Sequence, residues 1–189
     1  IPRCLRRGVG LLSGSFSFDA AGGSPIKDLD GRSFLPVLKG ETNHHKDYVY
    51  GLMTTRGINK GSDAYAIRSI RSGSHKLILN LNHENKFTNA CSESDYFKSM
   101  VEKAQSGDAT AKRLVNAYHY RPAVELYDVR KDPLEMNNLA NDSAQEELIK
   151  DLTAKLHAWM EEQGDEGVGT EMKAYERMPG RSAPAKKNS

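Results

Sequence analysis

RPAVELYDVRKDPLEMNNLA, residues 121–140, decides the fold. Pro122 ends what precedes it, because its ring fixes φ and biases the residue before it away from helix. Val124, Leu126 and Tyr127 then form a short strand, with Val124 and Leu126 on one face. Asp128 and Lys131-Asp132-Pro133 make a turn in which aspartate side chains bond nearby backbone amides. Leu134, Met136 and Leu139 follow as apolar anchors, and the clearest helix of the chain begins after Ala140. One strand, one turn and one helix are thereby tied together.

Outward from that stretch, residues 143–163 read as the helix. Ser143-x-x-Glu146 has the spacing of a capping box. Leu148, Ile149, Leu152, Leu156, Trp159 and Met160 fall on one stripe at a 3.6-residue period, and Gly164 closes the helix. Upstream, residues 48–53, 65–71 and 76–82 read as strands, the last two joined by a hairpin turn at Ser72-Gly73-Ser74. Leu77, Leu79 and Leu81 alternate onto one face. Arg68 and Arg71 lie on opposite faces and read as surface side chains with their stems laid along apolar neighbours. Residues 95–105 and 109–118 read as two helices whose Tyr96, Phe97, Met100, Val101, Leu114, Val115 and Tyr118 form a packing stripe. The expected class is α+β, a four-stranded antiparallel sheet packed by a long C-terminal amphipathic helix, with a helical insertion.

The 189 residues suffice for one domain or one domain with tails. A hydrophobic content of 38% is low for a compact domain and predicts that part of the chain is unpacked. A net charge of +2 argues against a dedicated nucleic-acid binder. No apolar run approaches the ~20 residues of a membrane-spanning helix. Two cysteines, Cys4 and Cys91, are no disulfide framework; they read as free thiols, although they could pair.

Residues 1–19 are expected to be poorly structured or foreign to the domain, residues 20–165 to form it, and residues 166–189 to be a flexible tail. Met172, Tyr175 and Met178 are spaced for one more helical turn. His44 and His45 sit in a polar loop without a third ligand at metal spacing. Asp28 and Asp30 read as turn residues before a short helix over 34–39, capped by Ser33 and closed by Gly40. No nucleophile elbow, zinc-protease motif, phosphate loop or four-cysteine site occurs.

Glu125-Leu126-Tyr127-Asp128, followed by Asp132-Pro133, Glu135 and Asn137-Asn138-Leu139-Ala140, resembles a segment near the C-terminus of the type I sulfatases. Residues 30–40, beginning Asp30-Gly31-Arg32, resemble the segment that opens the small C-terminal subdomain of that family. Ile67 to Arg71 with Lys76 to Leu81 resembles its central hairpin. The blocks occur in the family's order, and the resemblance runs from about Ala20 to Asp165. Within the family it is greatest to the heparan N-sulfatases (sulfamidases) and their bacterial relatives, through Asn80-Leu81-Asn82 and Tyr120-Arg121.

This resemblance implies the C-terminal subdomain of an alkaline-phosphatase-like sulfatase that cleaves sulfate esters or sulfamates of glycans. It also implies a formylglycine nucleophile and a calcium ion held by three Asp and one Asn or Gln, all on the family's N-terminal catalytic domain. Cys4 with Leu11 and Gly14 echoes the C-x-P-S-R signature only by chance, since Arg6, Arg7 and Gly8 stand where Pro, Ser and Arg are required. The chain alone is therefore expected to be inactive, with no catalytic or metal residue of its own, and to need that domain as partner. The expected substrate is a sulfated glycan, with no nucleic acid or membrane partner. The family favours a periplasmic, secreted or lysosomal compartment. The loop over 54–62 is the expected pocket rim, with Arg56 gripping a sulfate or carboxylate and Thr55 and Asn59 bonding sugar hydroxyls. A stand-alone, non-catalytic module recognising a partner or an anionic glycan is the alternative.

Overall fold

The computed structural model describes residues 11–23 and 31–177. In chain order these form α1 (Leu11–Ala20), α2 (Leu35–Leu38), β1 (Val49–Met53), β2 (Ile67–Arg71), β3 (His75–Asn80), α3 (Asp95–Gln105), α4 (Ala109–His119), β4 (Val124–Asp128), α5 (Glu146–Gln163) and α6 (Val168–Met172). Cys4, Asp28, Asp30 and Met178 lie outside the described residues, as do the rest of the first ten positions and of the last twelve. Within the segment expected to be poorly structured or foreign to the domain, α1 is helical, and Gly22 beyond it takes φ +76°, a left-handed helix stop.

The sheet runs in the order β1-β2-β3-β4 and every pair is antiparallel. Met53, Ile67 and Asn80 align at one end, while Val49 and Arg71 align at the other. The crossing from β3 to β4 carries α3 and α4, which are the expected helical insertion.

Both faces of the sheet are covered, and the two-residue alternation of the strands explains how. Ile70, Leu77, Leu79 and Leu126 point to one face and pack under Leu152, Leu156 and Met160 of α5. Trp159 stacks on Tyr50 with ring centroids 4.9 Å apart. Ile67, Ile78 and Tyr127 point to the other face, against Tyr65 and Phe87. Phe87 meets Tyr118 of α4 edge-on at 5.5 Å, Tyr118 meets Phe97 of α3 at 4.8 Å, and Arg121 lies over Phe87 at 4.3 Å. The insertion is thus the second roof of the sheet. Tyr96 departs from the expected stripe: it is 90% exposed, since its position on α3 faces away from α4.

The 121–140 stretch is held mostly by side chains bonding backbone. Asp128 accepts from the amides of Arg130 and Lys131, the expected aspartate turn. Asn138 Oδ1 accepts from the amides of Leu126 and Ala140 at 2.9 Å, and its amide group donates to Val124, so one side chain extends the ladder of the β4 edge. Glu135, at φ +54°, is held by a Lys76 Nζ contact of 2.8 Å. Leu139 packs on the core as expected, but Leu134 and Met136 are 79% and 51% exposed and anchor nothing. The turn is closed by polar groups instead.

Two further expectations are corrected. The capping box does not form: Ser143–Gln145 is a 3-10 turn capped by the side chain of Asp142, and α5 begins at Glu146 without a side-chain cap. Residues 166–177 do not begin a tail. They form α6 and a 3-10 turn packed on the domain, with Thr170 and Glu171 buried.

Candidate functional site

The loop between β1 and β2 leaves the sheet at Met53 and re-enters at Ile67. It is tightly wound. Ile58 N donates to Thr55 O, and Gly61 N donates to Ile58 O. Gly57 at φ +83° and Lys60 at φ +57° supply left-handed turns. Ser62 ties the loop to the insertion, donating its hydroxyl to Lys86 O at 2.7 Å and accepting from Thr88 N at 2.7 Å. A Cβ on Gly61 would stand 2.7 Å from the Thr55 carbonyl oxygen. Gly61→Ala is therefore expected to push the loop apart and cost about 1–3 kcal/mol, the range of overpacking a tight site. Thermal melting should show the loss, and amide shifts should be confined to residues 54–62.

The structure treats the three expected rim residues differently. Thr55 is buried: its amide and hydroxyl both donate inward to Glu171 Oε1, at 2.8 and 3.3 Å. It holds the loop and does not face a sugar, because the amide it flanks needed an acceptor when α6 covered it. Arg56 donates its own amide to the same oxygen at 2.9 Å, and its guanidinium carries a 2.9 Å contact to Asp63. Tyr175 lies under that guanidinium, 5.2 Å from ring centroid to carbon. Asn59 is exposed at the loop tip.

Glu171 is the functional-region residue that sequence reasoning missed. It is fully buried, and one of its oxygens also receives Tyr65 N at 3.3 Å. Arg68 was missed too. Expected at the surface, it is 0% exposed and bonded through Nε and Nη2 to Asp165, the Nη2 contact being 2.9 Å. The position alternates onto the α5 face, where Asp165 just past the helix neutralises it.

Other candidates are accounted for. His44 meets Asp47 at 3.3 Å on an exposed loop. Among the described residues, no group of three His, Cys, Asp or Glu side chains could hold a metal ion. A cleft of about 460 Å³ opens at the opposite end of β3, lined by His75, Asp128, Lys131, Asp132 and Asn137. Several of its polar groups already have partners: Asp132 accepts Asn137 N at 2.7 Å and His75 meets Ser74 Oγ at 3.0 Å. Among the described residues no helix is long and apolar enough to cross a membrane.

Sheet, long helix and insertion together define a two-roofed α+β lobe carrying an arginine-bearing loop at one end of its sheet. The chain belongs to the sulfatase family. An ulvan-active sulfatase from Formosa agariphila is 34% identical over 155 residues, which is 78% of this chain and 27% of that protein. The N-sulphoglucosamine sulphohydrolase of Homo sapiens is 30% identical over 152 residues, which is 77% of this chain and 29% of that protein. A solved 2-O GAG sulfatase shares the fold, with a TM-score of 0.50 at 20% identity over 79% of this chain and 24% of its own. The chain spans less than a third of the length of the curated relatives it matches. No family model matches it.

Proposed function

We propose that this chain forms the C-terminal lobe of a sulfatase that removes sulfate from glycans and that it contributes to the rim of the substrate pocket. The carrying observation is the coverage: two sulfatases align with more than three quarters of this chain and with less than a third of themselves. A sulfated glycan as substrate is favoured by the names of both relatives, one ulvan-active and one acting on N-sulphoglucosamine.

The nucleophile and the calcium that the family resemblance implies are assigned to a separate catalytic domain. Residues 4–8 do not carry the Pro, Ser and Arg of the signature, which supports that assignment. What the chain supplies is binding. A guanidinium carries several donors in a fixed planar fork and matches a sulfate or carboxylate in two contacts. Arg56 takes that role, Asn59 at the exposed tip bonds sugar hydroxyls, and Thr55 fixes the loop from beneath. An ester and a sulfamate present the same sulfonate oxygens to Arg56, so both remain within the proposal.

The chain alone, incubated with sulfated mono- and disaccharides, is expected to release no sulfate above background. Joined to a catalytic domain bearing C-x-P-S-R or S-x-P-S-R, it is expected to be required for turnover of glycan substrates. Sulfate release by the chain alone, abolished by Cys4→Ala, would overturn the assignment.

A further inference from the structure

We propose that residues 165–177 are a strap that positions Arg56 for an anionic group, with Glu171 as its anchor and Tyr175 as the platform for the guanidinium. The inference rests on the rim reading above and adds residues to it that lie more than a hundred positions further along the chain.

The strap is fixed at its start. Asp165, paired with buried Arg68, accepts Gly167 N at 3.0 Å. Gly167 sits at φ +63°, and a Cβ there would come 3.0 Å from Leu81 Cδ1, so the chain turns where it touches the sheet. Thr170 Oγ1 accepts Glu166 N at 2.8 Å, which caps the turn into α6. These contacts deliver Glu171 beneath the loop. Its Oε1 collects Thr55 N, Thr55 Oγ1, Arg56 N and Tyr65 N. A buried carboxylate needs several donors to be tolerated, and here all of them come from the loop and the approach to β2. The arrangement therefore sets the backbone from which the Arg56 side chain departs.

Tyr175 completes the setting. With the ring on one face and Asp63 on Nη1, the guanidinium has one plane and little freedom to leave it. Arg56 Nε is buried and has no hydrogen-bond partner. A buried unsatisfied donor is costly. The Arg56 side chain keeps 18% of its surface exposed, and a sulfate or carboxylate bound at that exposed edge adds the charge-assisted contacts that a guanidinium short of partners lacks. Structural packing alone would not require the ring, the acid and the orphan donor to meet at one residue.

The test uses the full 189-residue chain, labelled with 15N, and observes the Arg56 Nε–Hε resonance. Without ligand, it is expected to exchange slowly with solvent in the wild type and in Tyr175→Phe. It should exchange at least about fivefold faster in Tyr175→Leu, the scale of a lost cation–π contact. Glu171→Ala should speed exchange of the Thr55, Arg56 and Tyr65 amides together. The Trp159 indole and Leu77 amide report in each variant whether the domain is folded. Titration with N-sulfo-D-glucosamine should then move Arg56 Nε–Hε saturably in wild type and Tyr175→Phe, with apparent affinity about fivefold weaker in Tyr175→Leu. Unchanged ligand-free exchange in folded Tyr175→Leu would overturn the strap's positioning role. Normal ligand-free behaviour with no response of Arg56 to the sulfated sugar would instead overturn the rim reading on which the proposal rests, and the proposal with it.

Discussion

Asp165→Ala is expected to destabilise the folded chain by about 3–5 kcal/mol, the cost of leaving one member of a buried ion pair without its partner. Arg68 and Asp165 are 0% and 1% exposed at their side chains, so the stranded guanidinium could not reach water. Arg68→Ala should cost a similar amount. The double replacement Arg68→Met with Asp165→Leu should recover most of the loss, because apolar side chains of similar volume remove both desolvation penalties together. Urea denaturation of the wild type, Arg68→Met, Asp165→Leu and the double replacement measures this as a double-mutant cycle. A cycle with additive single losses would show that the pair does not couple β2 to the chain beyond α5.

The same pair predicts acid sensitivity. Burial by itself pushes the Asp165 carboxyl up. Hydrogen bonds and charge from Arg68, with contributions from Gly167 N and Thr170, outweigh it and hold the group below its ordinary value. A carboxyl lowered in the folded state contributes stability that is fully present above the unfolded value of about 3.9. That contribution fades as pH falls below it toward the folded value. Stability measured from pH 6 down to pH 2 should therefore fall less steeply below about pH 4 in the Arg68→Met, Asp165→Leu protein than in the wild type.

Leu156→Asp is expected to unfold the domain. Leu156 is 0% exposed and packs between Leu152, Met160 and the α5 face of the sheet. Removing such a side chain costs about 2–5 kcal/mol through lost transfer energy and the cavity left behind. A carboxylate in its place adds a desolvation penalty of several kcal/mol. Together these approach the whole stability of an ordinary domain, about 5–15 kcal/mol. Leu156→Met should cost under about 1.5 kcal/mol, and Leu134→Asp, at a 79% exposed position, about 0.5 kcal/mol or less. Far-ultraviolet circular dichroism and gel filtration separate the three. A folded Leu156→Asp protein would mean that α5 does not roof the sheet.

Position by position, the legible features were those written in local periodicity. The alternation of Leu77 and Leu79 places them on the α5 face, and the stripe from Leu148 to Met160 names the side of α5 that meets them. The aspartate turn at Asp128 and the helix stop at Gly164, φ +63°, are also local, since each is made within a few residues. The helical insertion was legible as two helices, but its role as a second roof was not. That role depends on Phe87 meeting both Tyr65 and Tyr118, residues from three separate segments.

The rim loop was legible as a loop and opaque as a site. Thr55, Arg56 and Asn59 are polar residues near two glycines, and nothing in their spacing says which way each points. Thr55 turns inward only because an acceptor from 116 residues away arrives beneath it. Glu171 carried no mark of its own, lying in a polar segment whose periodic hint was Met172, Tyr175 and Met178. Likewise, Asn80 donates to Pro122 O at 2.7 Å and to Glu125 at 2.6 Å, joining two stretches that each read separately.

Sequence alone determined the class of this protein, its four strands, the helix that covers the sheet and the family to which its blocks are similar. The strands and the helix follow from side-chain period and turn chemistry, which act over a few residues at a time, while the family is read from the resemblance of its blocks. Tertiary structure alone decided that Arg68 is buried, that Glu171 holds the loop, and that Tyr175 lies under Arg56. Each of these depends on a charged or polar group meeting a partner about a hundred residues away, and burial of such a group is tolerable only once that partner is in place.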